Sequence, residues 1–102
     1  MRYTVAYASL AEQQLVNLYA YIAEASGEQR ATNFVSALIA FCAGLTTFPH
    51  RGTQRPDIRP GVRTIGFRRR VTVAFEISDD RVLILGIFYG GQDFDRSGGL
   101  RS

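Results

Sequence analysis

Seven arginines, Arg51, Arg55, Arg59, Arg63, Arg68, Arg69 and Arg70, fall within twenty consecutive positions of this 102-residue chain. Only one acid, Asp57, stands among them, so the window carries +6 while the other 82 residues carry −3. The chain contains no lysine. A guanidinium presents a planar fork of donors that matches phosphate and carboxylate oxygens, which an ammonium point charge does not. The pattern points to a surface that grips a negatively charged partner, nucleic acid or protein.

The other side chains with chemical potential are few. His50, the single histidine, follows Phe48-Pro49 and reads as a polar residue closing a helix end, since nothing in the sequence poises it as a general base. Cys42 lies between Phe41 and Ala43 in an apolar stretch and reads as buried packing, not as a nucleophile. One cysteine and one histidine cannot build a disulfide framework or a Cys/His zinc set. No glycine-rich phosphate loop or triad order appears, and no cofactor or metal is expected. Tyr89 closes an apolar run just before Gly90-Gly91. Its ring either completes the core edge or emerges to stack on a base or donate a proton. Asp93 and Asp95 resemble a carboxylate pair, but a polar tail offers nothing to tune them. Asp79 and Asp80 read as turn formers.

The elements that must hold these residues follow from periodicity. Tyr3, Val5 and Tyr7 alternate with Thr4 and Ala6 as a strand. Ser9-Leu10-Ala11-Glu12 has the form of a capping box with Ser9 as N-cap. It opens a helix to about Ala25, with Leu15, Leu18, Tyr19 and Ile22 on its buried stripe. Ser26-Gly27-Glu28-Gln29 interrupts, with Ser26 a second N-cap, and another helix follows. There Phe34, Leu38, Phe41, Leu45 and Phe48 recur at steps of four, three, four and three, on one face. Pro49 ends that pattern. Residues 50–61, with Pro56, Pro60, Gly52 and Gly61, read as an ordered loop. Residues 62–67 and 70–77 read as strands, with Arg68-Arg69-Arg70 at the reversal between the first two. Ser78-Asp79-Asp80 turns into a last strand over 82–89, whose apolar character on both faces predicts the central position in the sheet.

The order is β-α-α-β-β-β: an α+β fold with a helical hairpin packed on a small, mainly antiparallel sheet. An apolar fraction of 46% and a charged fraction of 21% are ordinary for a globular domain. One domain is expected over 1–95, with 96–102 a flexible tail. No apolar stretch nears the roughly 20 residues of a membrane span. With no signal-peptide block at the N-terminus, a cytoplasmic protein is expected.

Four segments in this order carry a family resemblance. They are the opening strand with Ser9-Leu10-Ala11-Glu12; Phe48-Pro49-His50-Arg51-Gly52; Asp57-Ile58-Arg59-Pro60-Gly61-Val62-Arg63; and Ile84-Leu85-Gly86-Ile87-Phe88-Tyr89-Gly90-Gly91-Gln92-Asp93. Over residues 3–95 the chain resembles the ParE branch of the RelE/ParE toxin superfamily, the toxin half of bacterial type II toxin–antitoxin modules. The resemblance implies one of two activities. ParE-type members inhibit DNA gyrase without catalysis. RelE-type members are ribosome-dependent mRNA endoribonucleases that use basic residues and a late Tyr or His. The arginine those nucleases carry in the middle strand falls near Thr72 here, and the His usual in the ParE-like ending falls at Tyr89. Arg63 and Arg68 could supply charge and Tyr89 an acid, but no ordinary base is evident. The gyrase inhibitor is therefore the expected activity and the nuclease the alternative. Both imply a cognate ParD-like antitoxin with an acidic segment. The residues expected to meet target or antitoxin are Arg59, Arg63, Arg68, Arg69, Arg70 and Tyr89.

Overall fold

The computed structural model describes residues 3–89. The tail expected over 96–102, with Asp93 and Asp95, lies outside the described residues. Five strands and two helices follow the order β1 (Thr4–Tyr7), α1 (Ser9–Ser26), α2 (Glu28–Ala43), β2 (Thr53–Gln54), β3 (Val62–Phe67), β4 (Val71–Ser78) and β5 (Arg81–Tyr89). A single 3-10 turn, Gly44–Thr46, follows α2. The sheet order is β1-β5-β4-β3-β2, with β1 parallel to β5 and every other neighbour antiparallel. The α+β architecture expected from periodicity is the observed one. Strand β2 was not expected, and β4 rather than β5 occupies the middle of the sheet.

Both expected helix caps fall elsewhere. Ala8, not Ser9, is the N-cap of α1, and no side chain caps it. The N–H of Ala8 still donates to Ile84 C=O at 2.9 Å, while its own C=O accepts from Glu12 N–H at 3.0 Å. The last sheet bond thus fixes where the helix begins. At the other end Gly27 alone separates the helices. It donates to Ala23 C=O (2.9 Å), accepts from Ala31 N–H (3.2 Å) and sits at φ 98°, ψ 157°. Only glycine enters that region without strain, so Ser26 ends α1 instead of capping α2.

The helices bury a stripe of Ala11, Leu18, Ile22, Ala31, Leu38 and Cys42 against the sheet face formed by Val71, Val73, Phe75, Val82, Ile84 and Ile87. The apolar series of α2 does not stay on one face to its end. Leu38 and Leu45 are fully buried, Phe34 and Phe41 lie half-buried on a flank, and Phe48 is 67% exposed. The helix ends at Ala43, and the 3-10 turn advances each residue by about 120° instead of 100°. Tyr19, expected inside, lies at the surface.

β5 is apolar on both faces because both are covered, and a bulge shifts its phase part-way along. Phe75 pairs with Ile84 but Ala74 pairs with Gly86, leaving Leu85 as an extra residue. Val82, Ile84, Ile87 and Tyr89 therefore face the helices. Leu83, Leu85 and Phe88 face the other way, joining Val62, Ala74 and Ile58 in a second, smaller cluster. Past the end of β1, the Ile87 N–H finds the Gln14 side-chain carbonyl of α1 at 2.7 Å.

Two stability changes test these constraints. Gly27→Ala meets no neighbouring atom within 4 Å, so its cost is backbone strain alone, about 1–3 kcal/mol in denaturant unfolding. Gln14→Ala leaves the part-buried Ile87 N–H without its partner and is expected to cost about 1–3 kcal/mol. An unchanged unfolding midpoint would show that water replaces the Gln14 bond.

Candidate functional site

A row of aromatic rings runs along the seam between α2 and the sheet. Phe34 and Phe41, seven residues apart and so on one flank of α2, both meet Phe67 at the end of β3. The ring centroids are 5.6 Å and 5.1 Å apart, respectively. The row continues from Phe34 to Tyr89 (6.2 Å) and from Tyr89 to Tyr21 of α1 (5.5 Å). Edge-on and tilted pairs of this kind contribute about 0.5–1.5 kcal/mol each beyond burial. Two arginines from the basic window lie over the row. Arg68 stands 5.0 Å from the Phe67 centroid and 5.9 Å from that of Phe34, and Arg51 is 5.4 Å from Phe41.

Arg68, Arg69 and Arg70 form the β3–β4 turn. Arg68 and Arg69 have φ of 51° and 61°, and Arg70 N–H donates to Phe67 C=O at 3.1 Å. Glycine or asparagine is the usual occupant of such positions. Two arginines there hold left-handed backbone at a cost of roughly 1–2 kcal/mol per residue. The strained turn holds three guanidinium groups at the end of the sheet. Arg69 and Arg70 form no ion pair among the described residues.

Beside this turn opens a depression of about 360 Å³. Tyr21, Phe34 and Tyr89 form its aromatic walls, Ile22 and Ala25 its apolar floor, and Arg30 and Arg70 its charged rim. Arg30 and Tyr21 were not anticipated from the sequence. A usable signal for Arg30 existed, because it precedes Phe34 by four residues and so shares its flank of α2.

The remaining arginines lie elsewhere and are largely engaged. Arg55 grips Asp57 with two bonds of 3.0 and 2.8 Å, which holds the Asp57 carboxyl below the usual aspartate range. Arg59 pairs with Glu76 of β4 at 2.9 Å. Arg63 donates to Arg51 C=O at 3.3 Å. Arg63 lies opposite Phe75, whereas Tyr89 lies opposite Val71. The four residue steps from Val71 to Phe75 along β4 amount to about 13 Å at ~3.3 Å per residue. Of the six expected contact residues, the structure brings together Arg68, Arg69, Arg70 and Tyr89, and sets Arg59 and Arg63 apart. Cys42 is fully buried, and burial pushes its thiol pKa up while Tyr7 hydrogen-bonds it. It is packing, as expected. Among the described residues no three His, Cys, Asp or Glu side chains group closely enough to hold a metal ion. No helix there is long and apolar enough to cross a membrane.

The model of the ParE toxin of type II toxin–antitoxin systems, parDE, matches residues 5–94. The chain belongs to the ParE toxin family. Its fold is similar to a chain of the chromosomal ParDE toxin–antitoxin system from P. aeruginosa, with a TM-score of 0.75 and 22% identity, covering 87% of this chain and 97% of that one. It is also similar to a chain of the RelBE2 toxin–antitoxin complex from Mycobacterium tuberculosis, with a TM-score of 0.62 and 19% identity over 87% and 99% of the two chains. At these identities the likeness is one of fold. Among curated proteins no sequence relative was found.

In this ParE-family toxin, Thr72 lies opposite Gly66 and Phe88. Strand alternation points it away from the helices, onto the face opposite Tyr89. The position at which the superfamily resemblance expects a nuclease arginine is thus uncharged and on the wrong face to serve the pocket.

The strained turn has a measurable signature. Arg69→Gly relieves left-handed strain but adds glycine's unfolded-state entropy, for an expected gain of about 0.5–1 kcal/mol in denaturant unfolding. A loss of stability would mean that the Arg69 side chain itself holds the turn.

Proposed function

We propose that this ParE-family toxin acts by binding, inhibits DNA gyrase, and is neutralised by a cognate ParD-like antitoxin. One observation carries the reading: Arg30 and Arg70, with Arg69 in the adjoining turn, border an aromatic pocket whose lining among the described residues contains no carboxylate and no imidazole. RNA cleavage needs a base near neutrality to activate the attacking hydroxyl. An arginine, protonated at every physiological pH, cannot serve. An aromatic pocket rimmed by guanidinium groups is instead suited to holding an acidic surface through charge-assisted bonds and stacking.

An antitoxin partner is supported by the family itself and by the two similar structures, each described as a toxin–antitoxin system or complex. The aromatic row of Phe34, Phe67 and Phe41, with Arg68 at one end and Arg51 at the other, has the chemistry to receive an amphipathic acidic segment. Such a segment orders as it buries apolar area. We infer that both encounters occur in the cytoplasm.

Supercoiling by purified gyrase is expected to be inhibited at micromolar toxin. Joint substitution Arg69→Ala and Arg70→Ala should weaken inhibition at least about tenfold, the effect of losing ~1.4 kcal/mol at an arginine hot spot. Undiminished supercoiling would remove gyrase as the target. Ribosome-dependent transcript cleavage that disappears in Tyr89→Phe would install the endoribonuclease instead. Antitoxin affinity should fall as salt rises.

A further inference from the structure

The basic window holds a second depression, at the opposite end of β4 from the aromatic pocket. It measures about 270 Å³ and lies between His50, the two-residue strand β2 and the start of β3. Its polar side chains are His50, Gln54 and Arg63, and Pro56, Gly61 and Ile77 close it. All three polar groups can donate hydrogen bonds, and among the described residues no carboxylate lines the space.

Two of the nearby acids are already committed. Asp57 is held by Arg55, and Glu76 by Arg59. Arg63 is left with one long bond, 3.3 Å, to a neutral backbone carbonyl. A guanidinium offers five N–H donors, so among the described residues most of its capacity is uncommitted. The walls are fixed before any ligand arrives. Arg55 N–H donates to Val62 C=O (2.8 Å), Ile58 N–H to Arg55 C=O (3.1 Å) and Val62 N–H to Arg59 C=O (3.3 Å). At Gly52, φ is 75° and an added Cβ would run into Thr64 C=O, so the backbone of β2 lies directly against β3 beside the site. Preorganised donors bind without the entropy cost of ordering loops.

We propose that His50, Gln54 and Arg63 form a binding site for a phosphate group, separate from the Arg69–Arg70 surface and independent of the gyrase reading. A guanidinium without a carboxylate partner among the described residues, flanked by an imidazole and an amide, matches the charge and the several acceptors of a phosphate. The volume is just below the ~300–1,000 Å³ of ordinary small-molecule sites, which suits a phosphate bearing little else inside the pocket. The group comes either from a free monophosphate or from the phosphorylated end of a nucleic-acid strand.

Calorimetric titration of the full chain with inorganic phosphate, against chloride at matched ionic strength, tests the site. NMR of the single imidazole locates it. Saturable binding with Kd of about 1 mM or tighter is expected, with a shift of the His50 signals. Arg63→Gln should weaken it about tenfold or more, the effect of losing a hydrogen bond to a charged group. His50→Ala, at an exposed position, should weaken it without moving the thermal midpoint, so it remains decisive if Arg63→Gln misfolds. Arg70→Gln should leave it unchanged. A nucleoside 5′-monophosphate and an oligonucleotide with and without a 5′-phosphate then separate the sources. Binding of the monophosphate assigns a small molecule, and binding of the 5′-phosphorylated strand alone assigns a strand end. Heat that stays linear with phosphate to about 10 mM, roughly tenfold above that Kd, would overturn the proposal. So would binding that survives both Arg63→Gln and His50→Ala.

Discussion

The packing of Phe67 against Phe34 and Phe41 is the contact on which the rest of the site depends. Phe67 is the last residue of β3 and is 8% exposed. Its ring joins the sheet to α2, and the turn that follows it inherits its position. Because Arg68 lies over both Phe67 and Phe34, the guanidinium helps to seal the seam that directs it. Tyr89 and Tyr21 extend the same row to α1. One aromatic seam therefore sets the orientation of the helical hairpin, the placement of the arginine turn and the depth of the pocket between them.

Charge is distributed by pairing more than by composition. The window that carries +6 in sequence contains two arginines neutralised within the fold, by Asp57 and Glu76. Two others lie on aromatic faces. Among the described residues, the window's unpaired positive charge concentrates at the Arg69–Arg70 turn, with Arg63 apart at the far end of β4. Exposed ion pairs such as Arg55–Asp57 contribute little to stability, yet this one organises the loop that walls the second pocket. Its value lies in geometry.

Much of this was legible in the chain. β3 was delimited to the residue, and the turn at Arg68–Arg70 followed from the need to reverse between two alternating strands. Tyr89, at the end of an apolar run beside glycines, reads either as core edge or as an emerging ring, and in the fold it packs at the core edge while lining the pocket. What failed was local competition that sequence motifs do not record. Ser9 lost its cap role because a sheet bond to Ile84 fixed Ala8 first. Phe48 left the core because Gly44 ended the helix one turn early. The equal spacing of Arg51, Arg55, Arg59 and Arg63 gave no sign that Asp57 and Glu76 would take up two of them, since Glu76 is distant in sequence. Tyr21 and Arg30 were missed because the two helices bring them together only through the one-residue hinge at Gly27.

The extra residue in β5 has a consequence for how this chain can vary. From Val82 to Ile84 the strand alternates in one phase, and from Ile87 to Tyr89 in the other. Removing Leu85 would restore a single phase without turning Tyr89, which stays opposite Val71 on the helix face. The bulge thus absorbs a one-residue difference in length between the two ends of the strand, and Leu85 itself adds apolar surface to the second cluster. Homologous chains that keep the aromatic pocket should therefore vary in length at this point of the strand more readily than at its Tyr89 end.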